Sequence, residues 1–343
     1  MKRKTLFYVL TLVIAMIFLA ACGDSSSDES SSSSDSNYAG SEEKTYTFKL
    51  GHEANEGHVK FATAEKFKEE LEARSNGRMT VDIFPANQLG KEADMLQQLE
   101  TGTLDFGIIS NGTLSGSSEA MNGWFMPFLF DNLEDAAKAR ETESAKALLK
   151  DLENLNLVGF DVFFAGNRHV LSKNPVTSID DLKGLKIRIP GAPAFEKFWT
   201  KIGAGPTPMP LPEVYTALQT GVIEGVDVDL DALLSQKYYE TTKNLTLTNH
   251  ITFPEVVVGS KQVFDSLSAE DQQIVIDAWK AAVDWGIQEA INLEKSRVDE
   301  IKALGVNVVE LENTDAFMSI ANEIYEEYSS NEAIKAFIEE NKK

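Results

Sequence analysis

An α/β protein of two lobes is predicted by three features of the chain. Segments of strand and helix character alternate from Tyr46 onward, and a second alternating set follows from Leu157. Once an apolar leader and a Ser-rich stretch are set aside, about 300 residues remain, more than one ordinary core holds.

The elements follow from periodicity. Tyr46–Gly51 alternates as a strand, and Val59–Arg74 carries Phe61, Ala64, Phe67, Leu71 and Ala73 near helical spacing before Asn76-Gly77 stops it. Met79–Phe84 is a second strand, closed by Pro85. Glu92–Glu100 is a helix ended by Gly102, and Leu104–Ile109 is a short apolar strand. In the second set, Leu157–Phe164, Arg168–Ser172 and Leu185–Ile189 read as strands. Ala194–Ile202 and Pro212–Thr220 read as helices, the latter with proline in its first turn. The pattern from Ala269 to Ala303 is a continuous helix of about 50 Å, which either breaks near Gly286 or crosses both lobes. Trp124, Trp199, Trp279 and Trp285 read as core residues.

The first residues address the chain for export. Lys2, Arg3 and Lys4 precede an apolar run from Leu6 to Ala21, shorter than a membrane span of about 20 residues and ending in small side chains. Leu19-Ala20-Ala21-Cys22 resembles the lipobox of bacterial lipoproteins, which implies a signal peptide of residues 1–21 and lipidation of Cys22. An anchor of several acyl chains would then hold the protein to the outer face of the cell membrane or on the periplasmic side. Cys22 is the sole cysteine, which excludes a disulfide framework. The Ser/Asp-rich segment 22–44 has too little apolar surface to fold and reads as a tether. Loss of the three leader cations takes the formal charge from −22 to −25, which argues against a nucleic-acid partner. It leaves room for an anionic ligand held by local arginines, because distant charges are screened.

Arg188 is such an arginine. It faces away from Leu185, Ile187 and Ile189, and Pro190-Gly191 places it near the C-terminal end of its strand, where open α/β sheets receive ligands. A guanidinium holds a carboxylate bidentately and stays charged when desolvated. Read alone, Arg188 is more often a surface residue with a solvated partner.

Several segments together carry a resemblance. Lys49-Leu50-Gly51-His52, Gln88-Leu89-Gly90, Gly102-Thr103-Leu104-Asp105, Met126–Phe130, Asp180–Arg188 and Gly203–Gly221 occur in the order seen in the solute-binding proteins of tripartite ATP-independent periplasmic (TRAP) transporters. The resemblance implies a periplasmic-binding-protein-like fold with a ligand cleft between lobes and a long helix crossing them. The expected lobes are 45–165 with 254–295, and 166–253 with 296–343. It also implies a monomeric receptor for a small organic acid that works with a TRAP permease and needs no cofactor or metal. The family's carboxylate anchor falls on Arg188 and a second arginine on Arg168. Read from the residues, Arg168 could equally pair with a carboxylate of its own lobe. Further family contacts fall on Glu53, Ser110, Asn111, Leu211 and the position of Val228.

The chain departs from the family at Gly225-Val226-Asp227-Val228-Asp229, where many members read Gly-Gln-Glu-Asn-Pro and the Asn reaches the ligand. Two readings stay open. Asp227, Asp229 and Asp231 form the solvated face of an edge strand, with Asp231 capping a helix Ala232–Glu240, or one of these carboxylates, Asp227 foremost, accepts hydrogen bonds from ligand hydroxyls. His52 and Glu53 follow the first strand at the expected mouth. A carboxylate there repels a second acid group, so a hydroxylated monocarboxylate such as a uronate or aldonate is favoured over a C4-dicarboxylate. A surface hydrolase using Glu53, His52 and Asp227 is the competing class, and a structural lipoprotein a third. His52-Glu53 with His58 lacks the H-E-x-x-H spacing, and no G-x-S-x-G, P-loop or G-x-G-x-x-G occurs.

Overall fold

The computed structural model describes residues 44–311 and 314–342. The leader, Cys22 and nearly all of the expected tether lie outside them. Strand β1 (Tyr46–Gly51) is followed by α1 (Val59–Arg74), β2 (Met79–Phe84), α2 (Glu92–Glu100), β3 (Phe106–Ser110), α3 (Asn111–Ser115), α4 (Leu133–Ala139) and α5 (Glu143–Lys150). Next come β4 (Leu157–Asn167), β5 (His169–Ser172), β6 (Lys186–Ile189), α6 (Pro193–Ile202), β7 (Gly205–Pro208), α7 (Val214–Thr220), β8 (Gly225–Val228), α8 (Leu230–Ser235) and β9 (Asn244–Leu247). The chain closes with β10 (Thr252–Ser260), α9 (Lys261–Asp265), α10 (Ala269–Ala303), β11 (Asn307–Glu310), α11 (Asp315–Tyr328) and α12 (Glu332–Asn341).

Two mixed sheets result, one ordered β2-β1-β3-β10-β4 and the other β11-β9-β5-β8-β6-β7. In the first, β1 runs parallel to β2 and β3, while β10 is antiparallel to β3 and β4. In the second, β6 runs parallel to β7 and β8, and β5 is antiparallel to β8 and β9. The chain passes from the first sheet to the second directly from β4 into β5. Gly166 allows this passage at φ +151°, with a would-be Cβ 3.0 Å from the Asp229 Cβ. Among the described residues no helix is long and apolar enough to cross a membrane.

Helix α10 is one unbroken element of 35 residues that touches α1 and β4 on the first-sheet side and α8 and β11 on the second. It does not break at Gly286, because the missing side chain admits α1: a Cβ there would collide with Thr63 Oγ1. Trp279 of the same helix stacks on Phe67 of α1 with ring centroids 3.6 Å apart. Trp124, Trp199 and Trp279 are buried as expected, whereas Trp285 is 37% exposed. The last helix, α12, packs on α5.

The acidic stretch after Gly225 departs from both parts of the edge-strand expectation. Strand β8 is not an edge strand: it lies between β5 and β6, and all four of its residues are buried. The helix that follows is capped by Asp229, not Asp231, through acceptance from the Ala232 N–H at 2.7 Å. Asp231 instead lies at the N-terminus of α1, accepting from the Val59 N–H at 2.7 Å, where a helix favours negative charge.

Candidate functional site

A cavity of about 240 Å³ opens where the two sheets face one another. Glu53, Lys91, Glu92, Ala93, Ser110 and Thr113 line it from the first-sheet side. Arg188, Pro190, Gly191, Pro208, Met209 and Pro210 line it from the second. These positions lie at or after the ends of β1, β2, β3, β6 and β7, so the cavity lies at the carboxyl ends of parallel strands, as the position of Arg188 predicts. The Leu211 N–H donates to Glu53 Oε2 at 3.3 Å and Lys91 Nζ pairs with Glu213 at 2.7 Å, so the two walls are tied together.

Arg188 is 3% exposed, and its Nε and Nη2 donate to the Met209 carbonyl at 2.9 and 2.6 Å. That contact fixes the plane of the guanidinium and leaves Nη1 for the cavity. Among the described residues Arg188 has no carboxylate within ion-pair distance. Burial pushes its pKa below the usual arginine value. A buried cation without a partner is costly, and the group that best completes it is a carboxylate entering the cavity.

Opposite Arg188, and beside Lys91 with its Glu213 partner, the residues Glu53, Glu92, Ser110 and Thr113 form a stretch of acceptors. The Ser110 N–H and hydroxyl donate to Glu92 Oε1 and Oε2 at 2.8 and 2.5 Å, and the Thr113 hydroxyl donates to Oε2 at 2.8 Å. With their hydrogens committed to Glu92, the two hydroxyls offer lone pairs to the cavity. Glu53 adds a carboxyl whose pKa is raised, first by burial and then by Glu92, with Lys60 and Arg188 opposing.

Arg188, Glu53 and Ser110 are thus brought together at the cavity; the remaining expected residues are placed behind it. Arg168 is 2% exposed, and its Nε and Nη1 donate to Asp227 Oδ1 at 2.5 Å and Asp229 Oδ2 at 2.9 Å. Its Nη2 donates to the Asp227 carbonyl, and its guanidinium lies 4.4 Å from the centroid of the Phe253 ring. Asp227 also meets His250 Nε2 at 2.6 Å, so both carboxylate oxygens are occupied by protein. Burial alone would raise the Asp227 pKa, but Arg168 and His250 outweigh it and hold the carboxyl below the usual range.

Val228 packs in the apolar cluster around β8 and is fully buried. The Leu211 carbonyl accepts from the Tyr238 hydroxyl at 3.0 Å, so this residue acts through its backbone, holding Glu53 on one side and Tyr238 on the other. Asn111 is buried and donates to the Met121 carbonyl at 2.8 Å. His52 is fully buried against the Phe61 ring, and burial, aided by Lys60, pushes its pKa down to about 3. His52 and Asp227 are therefore not joined with Glu53 into a set that could abstract or deliver a proton.

Sequence reasoning missed Lys60, Glu92 and Glu255. Glu92 begins α2 and looks like an ordinary acidic first-turn residue. Lys60 carried a legible signal, since it shares the helical face of Ala64, Phe67 and Leu71, all buried. Glu255 stands in a strand whose nine residues are all buried.

A two-sheet α/β fold with one unpaired buried arginine at its cleft defines a receptor for small anions. The chain belongs to the bacterial extracellular solute-binding proteins of family 7, whose model matches residues 50–331. It is similar to the sialic acid-binding periplasmic protein SiaP of Vibrio cholerae, 30% identical over 294 residues that cover 85% of this chain and 91% of that protein. It is also similar to the ectoine/5-hydroxyectoine-binding periplasmic protein UehA of Ruegeria pomeroyi, 33% identical over 83% of this chain and 86% of that one. A TRAP periplasmic solute-binding protein of Bradyrhizobium sp. BTAi1, solved with α/β-D-galacturonate, superposes with a TM-score of 0.82 at 30% identity, covering 86% of this chain and 99% of the other. The protein is an extracytoplasmic receptor of a TRAP transporter, working with a membrane permease. It is a transport protein, not an enzyme.

Proposed function

We propose that the cavity captures a hydroxylated monocarboxylate, a sugar acid of the uronate or aldonate type. The observation that carries this reading is the pairing of Arg188, a buried cation with no carboxylate of its own, with the acceptor wall of Glu53, Ser110 and Thr113. The ligand carboxylate completes Arg188. Its hydroxyls donate to the facing acceptors, where a second carboxylate would meet the Glu53 and Glu92 carboxyls, the ammonium of Lys91 on that side being paired with Glu213. The galacturonate held by the Bradyrhizobium relative supports the same class. A second reading is favoured by one property of that wall: acceptors also suit a cationic group. A zwitterion, as bound by the ectoine-binding relative, therefore ranks next.

Capture closes the two expected lobes, 45–165 with 254–295 and 166–253 with 296–343, upon the ligand. Residues from both already line the cavity. The receptor acts as a monomer, tethered through lipidated Cys22 to the outer face of the cell membrane or on the periplasmic side, and hands its ligand to the permease. Cys22→Ser would then release the protein into the soluble extracytoplasmic fraction.

A thermal-shift panel of D-galacturonate, D-glucuronate, D-galactonate, succinate and ectoine tests the ligand class. At a hundred times its dissociation constant, a true ligand adds about 2.7 kcal/mol of stability. A uronate or aldonate is expected to raise the melting temperature. A shift produced only by succinate, or only by ectoine, overturns the sugar-acid reading.

A further inference from the structure

Beneath the acceptor wall lies a buried lysine that the capture of a ligand does not explain. Lys60 is 1% exposed, and its ammonium lies 2.8 Å from Glu255, 3.5 Å from Glu92 and 3.8 Å from Glu53. Among the described residues it is the only ion-pair partner of all three glutamates. The three reach it from separate elements: Glu53 after β1, Glu92 at the start of α2 and Glu255 in the middle of β10. Apolar side chains of the same volume would stabilise the fold as well or better than such a cluster, so stability does not account for it. Two of its carboxylates face the cavity.

We propose that Lys60 is a positioning residue for ligand selectivity: its ammonium keeps the Glu53 and Glu92 carboxylates as acceptors toward the cavity, so that the wall opposite Arg188 takes hydroxyls and rejects a second carboxylate. This rests on the sugar-acid reading of the same cavity. Glu255 already holds a proton below about pH 8, and without the ammonium the Glu53 and Glu92 carboxyls, buried near one another, cannot both remain ionised. Those that take up a proton become donors, and a wall containing donors can bind a second carboxylate.

The test compares Lys60→Met with wild type, measuring affinity for D-galacturonate and succinate by isothermal titration, the weaker ligand by displacement. Wild type is expected to prefer the uronate, and Lys60→Met to lower the uronate-over-succinate ratio about tenfold or more. Should Lys60→Met fail to fold, Lys60→Met/Glu255→Gln has the formal charge of the wild-type cluster and is expected to lower the ratio in the same direction. A wild type that prefers succinate, or binds neither acid, overturns the sugar-acid reading and this proposal with it. A wild type that prefers the uronate beside a folded variant with an unchanged ratio, even if both affinities fall together, overturns the role of Lys60 alone.

Discussion

Arg168 donates to Asp227 Oδ1 at 2.5 Å, which satisfies its charge inside the fold, while Arg188 meets only a backbone carbonyl. Arg188 lies in β6 and Arg168 immediately before β5 of the same sheet, with β8 between those two strands. Asp227 of β8 and Asp229, the N-cap of α8, take up Arg168; among the described residues no carboxylate pairs with Arg188 in this way. One arginine is therefore neutralised within the fold, and the other keeps an uncompensated charge among the described residues.

The Arg168–Asp227 pair is fully desolvated, so removing one partner leaves an uncompensated charge. Asp227→Asn is expected to lower unfolding stability by about 3–5 kcal/mol, measured by urea denaturation. A loss under about 1 kcal/mol would show that the network relaxes around the defect.

Arg188 should behave in the opposite way. Arg188→Met removes a buried cation that lacks a carboxylate, so the ligand-free variant is expected to melt at or above the wild-type temperature. The same variant is expected to lose all measurable binding of D-galacturonate, and Arg188→Lys to bind weakly, because a point charge does not reproduce the planar fork. Calorimetry of both, with and without ligand, separates the outcomes; unchanged affinity removes Arg188 from the site.

Much of this was legible in the chain, and the failures share a cause. Strand and helix spans followed from periodicity because most elements bury one face and expose the other, as in α1 and α2. Pro190-Gly191 placed Arg188 near a strand end, but the residues alone left its role open, and the family resemblance singled it out. The stretch Val226–Asp229 misled because its alternation of apolar and acidic residues imitates a half-exposed strand. In the fold both faces are buried, one by the apolar cluster and the other by Arg168 and His250. Those partners come from β4–β5 and β9–β10, remote in sequence, and no local pattern announces them. Glu92 and Glu255 were hidden for the same reason, each acquiring its meaning from Lys60.

Glu255 gives the protein a pH signature. Burial, opposed by Lys60, pushes its carboxyl up to about 8 from an ordinary 4.5. Between those values the folded protein keeps a proton that the unfolded chain has released, so this group makes stability fall as pH rises through the window. Glu255→Gln is expected to flatten the decline by about one proton's worth of slope. Urea unfolding at several pH values between 5 and 8 checks it. A wild-type slope unaltered by the substitution would place the proton elsewhere.

The close approach of α10 to α1 can be tested at a single atom. Gly286 lies where α10 crosses α1, and a methyl there would collide with Thr63 Oγ1, a short side chain already donating to the Val59 carbonyl at 2.9 Å. Alanine favours a helix over glycine by about 1 kcal/mol, so local propensity alone predicts that Gly286→Ala stabilises the protein. Overpacking acts the other way and costs about 1–3 kcal/mol in a well-packed contact. Because Thr63 is fully buried and tethered, the steric cost is expected to win, and Gly286→Ala to lower the melting temperature. The double variant Thr63→Ala/Gly286→Ala removes the obstructing hydroxyl and methyl and is expected to recover most of the loss relative to Thr63→Ala alone. If Gly286→Ala instead raises the melting temperature, the two helices have room to part, and the unbroken course of α10 owes nothing to this glycine.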